Sequence, residues 1–318
     1  MKWKRHDLLD IQDLSVEEIE TVLETAQSFK EVLGRDVKKV PALRGKTIAT
    51  VFFEDSTRTR VSFEIAAKCL SADTLNVSVK GSSMSKGESV LDMAKNIEAM
   101  NADLLVVRHS CSGIPDILAR HLKASVINAG DGCRAHPTQA LLDLFTIREK
   151  LGKIKGLNVL IVGDILHSRV ARSNIYGFIK LGAKVTICGP TTLMPMGIET
   201  LGVKVSHDLD EEIAHADVVM LLRIQTERQQ EKFLPSMNEY ARTFGVNRKR
   251  LEKAKKGVVI MHPGPTNRGI ELSAEVADGE HSVILDQVNN GVAVRMAVLY
   301  LLLGTKDPVI GLKELKNL

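Results

Sequence analysis

The sequence has few aromatic residues and no closely spaced pair of cysteines. Phe, Trp and Tyr make up 4% of the 318 residues, so we expect the cores to consist of aliphatic side chains and methionine. The spacing of the cysteines lacks a C-x-x-C pair, which predicts no zinc site and favours reduced thiols in a cytoplasmic protein. The four are Cys69, Cys111, Cys133 and Cys188.

Long apolar runs and long basic runs are also missing. The most apolar segment, 292–303, is interrupted by Arg295; it is too short to span a bilayer and predicts a buried helix. No apolar stretch follows Met1, so we expect no signal peptide and no membrane attachment. A net charge of +4 and a pI of about 8.8 suit small anionic substrates. The basic cluster 248–256 predicts a solvated helix face, so no nucleic-acid partner is expected.

Several familiar catalytic motifs do not occur. Gly163 ends an apolar strand, but the glycines of a G-x-G-x-x-G turn do not follow it, and strand 184–188 ends without a ribose-binding acid. These features disfavour a dinucleotide-dependent dehydrogenase. The sequence also has no P-loop, no H-E-x-x-H and no G-x-S-x-G.

Strands alternate with helices along the whole chain, which predicts a parallel α/β architecture. The length suits two domains, with a junction near 151–156. Strands are predicted near 47–53, 74–79, 104–107, 125–128, 157–163, 184–188, 218–222, 258–261 and 283–285. Helices in the first half are predicted near 15–33, 57–70, 88–100, 114–121 and 137–150.

The two halves repeat one order of charged residues. Asp103 precedes an apolar strand that ends at Arg108, and Asp217 precedes one that ends at Arg223. Both arginines therefore stand at the carboxyl ends of predicted parallel strands, where ligands of open α/β sheets bind. Chance recurrence is the alternative. A second repeat relates Asp55, Ser56 and Arg58 to Asp164, Ser168 and Arg169.

The segment 56–60, Ser-Thr-Arg-Thr-Arg, stands where an apolar strand ends and an amphipathic helix begins. A helix N-terminus offers unpaired N–H groups and suits an anion. Hydroxyls and an arginine in the same turn make it suit a phosphate. The alternative is an ordinary N-cap at Ser56 followed by solvated arginines.

A second anion-facing element is the segment 131–139. Pro137 suits the first position of a helix, so His136 would cap that helix and Gln139 would lie in its first turn. An imidazole at the positive end of a helix tends to stay neutral and to donate a hydrogen bond. Such a donor suits a carbonyl that becomes an oxyanion. The alternative is a structural histidine.

Two loops complete the set of candidate elements. The polar loop 81–89 carries Lys86, which can reach an anion; its alternative is a plain surface loop. The loop 262–269 follows a strand, and Pro263 and Pro265 make it rigid. Gly264 between them allows a ligand to approach the backbone closely.

These residues together resemble the aspartate carbamoyltransferase catalytic chains, nearly end to end, from Phe53 to Val292. The elements at 56–60 and 136–139 are shared with ornithine carbamoyltransferases and specify only carbamoyl transfer. Three features point to aspartate as the acceptor: the loop with Lys86, the Arg-Ile-Gln sequence at 223–225, and the His-Pro-Gly-Pro sequence at 262–265. The cations Arg169, Arg223 and Lys86 independently suit a dicarboxylic acceptor.

The resemblance implies a role for each site residue. Those expected to act in catalysis are Arg58, Thr59, Arg108 and His136. Those expected to hold carbamoyl phosphate are Ser56, Thr57, Arg58, Thr59, Arg108, His136, Gln139, Gly264 and Pro265. Those expected to hold aspartate are Lys86, Arg169, Arg223 and Gln225. Ser82, or the adjacent Ser83, and Lys86 are expected to enter the site of a neighbouring subunit, which implies a homotrimer.

The resemblance also implies an α/β fold of two similar domains, each a parallel β-sheet flanked by helices. Residues 1–136, joined by a C-terminal helix 289–318, would bind carbamoyl phosphate, and residues 137–288 would bind aspartate. The expected products are N-carbamoyl-L-aspartate and phosphate, in pyrimidine biosynthesis. The implied mechanism needs neither a cofactor nor a metal, because preorganised donors stabilise the developing charge. Transfer to ornithine or another amino acid, or a catalytically silent scaffolding homologue, remain the alternatives. Family members variously associate with regulatory chains or dihydroorotase.

Overall fold

A computed structural model describes residues 3–78, 87–225, 228, 233–234 and 236–304. The chain forms two compact units. The first runs to Phe145 and resumes at Val288, and the second comprises the intervening residues from Thr146 to Gln287. The expected α/β fold with two parallel sheets is confirmed, and the last described helix returns to the first unit.

The first unit contains a four-stranded parallel sheet in the order β2-β1-β3-β4. The strands are β1 (Thr47–Phe52), β2 (Asp73–Ser78), β3 (Leu104–His109) and β4 (Ser125–Asp131). Its helices are α1 (Val16–Leu33), α2 (Thr57–Cys69), α3 (Val90–Ala99) and α4 (Ile114–His121). The boundaries between the units fall inside α5 (Pro137–Leu151) and α11 (Ile284–Leu303).

The second unit contains a five-stranded parallel sheet in the order β7-β6-β5-β8-β9. Its strands are β5 (Asn158–Val162), β6 (Lys184–Cys188), β7 (Lys204–Ser206), β8 (Val218–Leu221) and β9 (Val259–Met261). Its helices are α6 (Arg169–Lys180), α7 (Leu209–Ile213), α8 (Met237–Phe244), α9 (Arg248–Leu251) and α10 (Ala274–Ala277). Single 3₁₀ turns lie at Ile11–Asp13, Thr191–Leu193 and Ile198–Leu201.

Local sequence signals explain where many helices begin. Ser15 and Glu18 form a reciprocal capping box at the start of α1, and the side chains of Ser89 and Ser168 accept N–H groups of α3 and α6. Such caps satisfy backbone donors that the helix itself leaves unpaired. The side chain of Ser56 differs, because it makes no capping hydrogen bond although it stands at the N-cap position of α2.

The cores are mainly aliphatic, as the scarcity of aromatic residues predicts. One buried cluster around β1 and β3 consists of alanine, valine, leucine, isoleucine and methionine, from Ala49 to Val126. Its counterpart in the second unit adds Tyr240 and Phe244, which stack with ring centroids 5.7 Å apart. Residues 293–300 of α11 are buried, which confirms the predicted buried helix. Among the described helices, none is long and apolar enough to cross a membrane.

One strand prediction fails, and the sequence analysis misses one strand. The prediction of a strand at 283–285 is wrong, because the helix α11 begins at Ile284. The preceding residue Ser282 forms an isolated β-bridge with Ile260. Val283 and Ile284 are β-branched, but the preference that this gives for a strand is weak. The strand β7 was not predicted; its three residues are partly exposed, so they show no apolar pattern.

Candidate active site

In the first unit, the candidate residues lie at or after the carboxyl ends of β1, β3 and β4, which are neighbours in the sheet. β1 ends at Phe52 and α2 begins at Thr57, with Ser56 between them. Thr57 and Arg58 are exposed, whereas Thr59 is buried. The first N–H groups of a helix have no partner within the helix. Because the Ser56 hydroxyl does not cap α2, this turn presents both N–H and hydroxyl groups to an anion.

Arg108 lies beside this turn, because β3 pairs with β1 and places Arg108 opposite Phe52. Its Nη2 donates to Oε1 of Glu54 over 2.6 Å, and its Nη1 donates to the carbonyl of Ala129 over 3.4 Å. The Arg108 side chain is 12% exposed. Glu54 was not predicted as a site residue, although its position just after β1 was visible in the sequence.

The turn that leads to His136 is held by the buried carboxylate of Asp131. It accepts hydrogen bonds from Nδ2 of Asn128 (2.8 Å) and from the N–H groups of Gly113 (2.7 Å) and Ala135 (3.1 Å). Arg134 forms ion pairs with Asp131 and with a second carboxylate, that of Asp116. Burial lowers the pKa of Arg134, but these partners raise it above its usual value overall. Arg134 is therefore a fixed cation that braces the turn.

His136 stands just before α5, where its carbonyl accepts the N–H groups of Gln139 and Ala140. His136 is 3% exposed and Gln139 is 8% exposed. Nε2 of Gln139 donates to Oδ1 of Asp143 over 3.0 Å. The structure thus places both side chains at the positive end of α5, as the sequence predicts, and adds Asp143 as a partner that the sequence analysis missed.

In the second unit, the candidate residues follow β5, β8 and β9, which are again neighbours. Asp164 is fully buried just after β5. Its carboxylate accepts hydrogen bonds from the backbone N–H and the ring Nδ1 of His167, and from the backbone N–H of Gln225. One carboxylate therefore joins the ends of β5 and β8. Arg169 begins α6 and is 2% exposed.

Arg223 and Gln225 follow β8 and contact each other. Nη2 of Arg223 lies 3.4 Å from Oε1 of Gln225, and Nε2 of Gln225 lies 3.4 Å from the carbonyl of Arg223. Because β5 and β8 are paired and parallel, Arg169, Arg223 and Gln225 all follow the same edge of the sheet. Two cations and one amide at one edge suit an acceptor that carries carboxylates.

The loop after β9 is braced by a buried histidine and a buried glutamate. Nε2 of His262 lies 3.1 Å from Oε1 of Glu271, and its Nδ1 accepts the N–H of Gly264 over 2.8 Å. Gly264 has φ +67°, a conformation that glycine adopts without strain. The peptide bond between Gly264 and Pro265 is cis. Glu271 was not predicted, because nothing in the local pattern pairs it with His262.

The candidate residues thus fall into two sets, one in each unit. The first unit holds Ser56, Thr57, Arg58, Thr59, Arg108, His136 and Gln139, and the second holds Arg169, Arg223, Gln225, Gly264 and Pro265. Ser82, Ser83 and Lys86 lie outside the described residues. Within the described part of the chain, no group of three or more His, Cys, Asp or Glu side chains could hold a metal ion.

Family models match almost the whole chain. Residues 6–149 match the carbamoyl-P binding domain of aspartate/ornithine carbamoyltransferase, and residues 155–302 match its Asp/Orn binding domain. The aspartate carbamoyltransferase catalytic subunit of Syntrophus aciditrophicus is 61% identical over 307 residues, which cover 96% of this chain and 100% of the relative.

Solved structures agree with the sequence comparison. The aspartate transcarbamoylase of Trypanosoma cruzi in complex with carbamoyl phosphate and aspartate has a TM-score of 0.87 and 29% identity, over 95% of this chain and 98% of that one. The catalytic subunit of M. jannaschii aspartate transcarbamoylase has a TM-score of 0.83 and 34% identity, over 94% and 98%. The chain therefore belongs to the aspartate/ornithine carbamoyltransferase family, among the catalytic subunits of aspartate carbamoyltransferase.

Proposed function

We propose that this chain transfers the carbamoyl group of carbamoyl phosphate to the amine of L-aspartate, giving N-carbamoyl-L-aspartate and phosphate for pyrimidine biosynthesis. The observation that carries the proposal is the identity of 61% over 96% of the chain with a named catalytic subunit. The two sets of polar side chains, each at the ends of three neighbouring parallel strands, support it chemically. Ligands of open α/β sheets bind at such strand ends.

In the proposed mechanism, the start of α2 holds the phosphate of carbamoyl phosphate. Ser56, Thr57, Arg58 and Thr59 supply N–H, hydroxyl and guanidinium donors, and Arg108 adds a second guanidinium beside them. These donors are in place before the reaction, so they stabilise charge as it develops on the departing phosphate. The helix dipole of α2 acts in the same direction.

The carbonyl of the carbamoyl group is polarised by Thr59, Arg108 and His136. Gln139 and the backbone at Gly264 and Pro265 accept hydrogen bonds from its amide nitrogen. The uncharged amine of aspartate attacks the carbonyl carbon, so that a C–N bond forms and the C–O bond to phosphate breaks. The amine releases one proton, which the departing phosphate takes up. Positioning and electrostatic stabilisation supply the catalysis in this scheme.

Aspartate is held by Arg169, Arg223 and Gln225, with Lys86 as a further cation. The burial of Arg169 supports this role, because a buried guanidinium that meets a carboxylate forms a stronger pair than an exposed one does. An ornithine side chain carries an ammonium group, which these cations would repel.

The domain assignment remains part of the proposal. Residues 1–136 with the C-terminal segment 289–318 bind carbamoyl phosphate, and residues 137–288 bind aspartate. The expected C-terminal helix corresponds to α11, which begins at Ile284 and ends at Leu303, and residues 305–318 lie outside the described residues. The division of the chain near Phe145 and Val288 supports two domains, although the first boundary lies nine residues beyond the proposed one.

A homotrimer, in which the loop with Ser82 and Lys86 serves the neighbouring subunit, is also proposed. Val61 and Ile65 of α2 and Leu75 of β2 are 40%, 43% and 40% exposed, and apolar side chains of this kind suit a subunit interface. Native mass measurement tests the trimer and reports any larger assembly. The four free cysteines support the proposed cytoplasmic location.

A turnover assay tests the proposed activity. Purified protein is supplied with carbamoyl phosphate and either aspartate, ornithine or no acceptor, and the carbamoylated product is identified by mass. We expect product with aspartate and little with ornithine. Faster turnover with ornithine would show that ornithine, and not aspartate, is the acceptor. Binding of both ligands without product would indicate a silent homologue.

A further inference from the structure

A buried hydrogen bond connects Gln139 to a carboxylate that has no role in the mechanism above. Gln139 lies in the first turn of α5, and Asp143 lies one turn later on the same face. Nε2 of Gln139 donates to Oδ1 of Asp143 over 3.0 Å. Gln139 is 8% exposed and Asp143 is fully buried, so water does not compete strongly for this contact.

The partner fixes which way the Gln139 amide faces. The two ends of a glutamine amide have the same shape, but one is a donor and the other an acceptor. A carboxylate oxygen only accepts, so Asp143 selects the NH₂ end. The other end of the planar amide, Oε1, is therefore the acceptor that Gln139 presents away from Asp143.

A buried cation balances the charge of Asp143. Arg295 of α11 is 4% exposed, and burial lowers its pKa to about 10, while Asp143 acts to raise it. It therefore stays charged near neutral pH. Its guanidinium carbon lies 5.2 Å from the ring centre of Phe63. A Cβ at Gly291 would come within 2.5 Å of Nη1 of Arg295, so the glycine leaves room for this cation.

We propose that Asp143 is a specificity-determining positioning residue: by holding Nε2 of Gln139, it directs Oε1 at the amide of the carbamoyl group. The enzyme thereby distinguishes carbamoyl phosphate from acyl phosphates of the same shape, such as acetyl phosphate. Acetyl phosphate has a methyl group where carbamoyl phosphate has NH₂, so it leaves the buried Oε1 without a donor. This inference rests on the proposed function.

The test compares the two phosphates as substrates with aspartate. The kcat/KM for carbamoyl phosphate is divided by that for acetyl phosphate, and each product is identified by mass. Wild-type turnover of carbamoyl phosphate is measured first and tests the proposed function alone. Asp143→Asn keeps the size of the side chain but can present either a donor or an acceptor to Gln139. We expect it to lower the ratio about tenfold, the scale of one neutral hydrogen bond.

Further variants separate positioning from general structure. Gln139→Met removes the acceptor and should lower the ratio similarly, and adding Asp143→Asn to it should change the ratio no further, because the effect passes through Gln139. Asp92→Asn, on the exposed start of α3, should leave the ratio unchanged. If Asp143→Asn does not fold, Asp143→Glu keeps the charge, displaces the acceptor and should also lower the ratio. A ratio that Asp143→Asn leaves unchanged, whether or not both activities fall, would overturn the proposal.

Discussion

Oε1 of Glu54 and Nη2 of Arg108 lie 2.6 Å apart, at the carboxyl ends of two neighbouring strands. The pair holds the guanidinium of Arg108 at the turn that begins α2. Because Arg108 is proposed to polarise the carbonyl, the position of its guanidinium affects the rate. Glu54 is therefore expected to act through Arg108.

Glu54→Gln should lower turnover about tenfold, since small displacements of a catalytic group are costly. The free energy of unfolding should change by less than about 1 kcal/mol, because the pair is partly exposed. The control is Glu64→Gln, which breaks the exposed pair of Glu64 with Lys68 on α2. Steady-state kinetics and urea unfolding check both variants. Equal turnover of the two variants would contradict a role for Glu54.

Arg58→Ala should lower turnover by about 10²-fold or more, the effect of losing one preorganised donor to the transition state. Stability should change little, because Arg58 is exposed in the first turn of α2. Arg60→Ala is the matched control: Arg60 is also exposed, two residues further along the helix. Near-normal turnover of Arg58→Ala would show that Arg58 does not stabilise the departing phosphate.

Arg223→Ala should weaken aspartate binding and leave carbamoyl phosphate binding largely intact. Losing a charge-assisted hydrogen bond costs roughly 1.5–3 kcal/mol, which corresponds to about ten- to 150-fold in the dissociation constant. Calorimetric titration with each ligand measures the two effects separately. If both ligands are weakened equally, Arg223 does not belong to the acceptor site.

Glu271→Gln should lower the free energy of unfolding by about 1 kcal/mol, because a neutral acceptor replaces a charged one for His262 and for the N–H of Asn267. It should also raise the KM for carbamoyl phosphate, since His262 holds Gly264. Urea unfolding and initial rates measure these changes. Glu275→Gln, on α10, is the control and should match wild type in both. An unchanged KM with lower stability would limit Glu271 to a structural role.

Lys86→Ala and Arg58→Ala chains should each be nearly inactive alone but recover part of the activity when they are unfolded together and reassembled. A cyclic trimer repeats one interface, so a mixed trimer can join an intact Lys86 loop to an intact Arg58 turn. Mass measurement confirms subunit exchange. Exchange without recovered activity would mean that the loop serves its own chain or that Lys86 is not catalytic.

The sequence predicts those site elements that are local. The turn at 56–60 and the start of α5 at Pro137 combine a strand end, a helix start and polar side chains within a few residues, so pattern alone locates them. Asp143 could also have been found, because it follows Gln139 by one helical turn. Glu54 with Arg108 and Glu271 with His262 depend on which strands and loops become neighbours, and no local pattern contains that information. The false strand at 283–285 has a different cause, the weak strand preference of β-branched residues.

The return of α11 to the first unit sets an order for folding during synthesis on the ribosome. The segment Thr146–Gln287 can complete its contacts before residues 288 onward have been made, whereas the first unit needs those residues to complete its own contacts. Until α11 has been made, the charge of Arg295 is not available beside Asp143 in the core of the first unit. The core of the first unit is therefore completed only after the second unit has been synthesised.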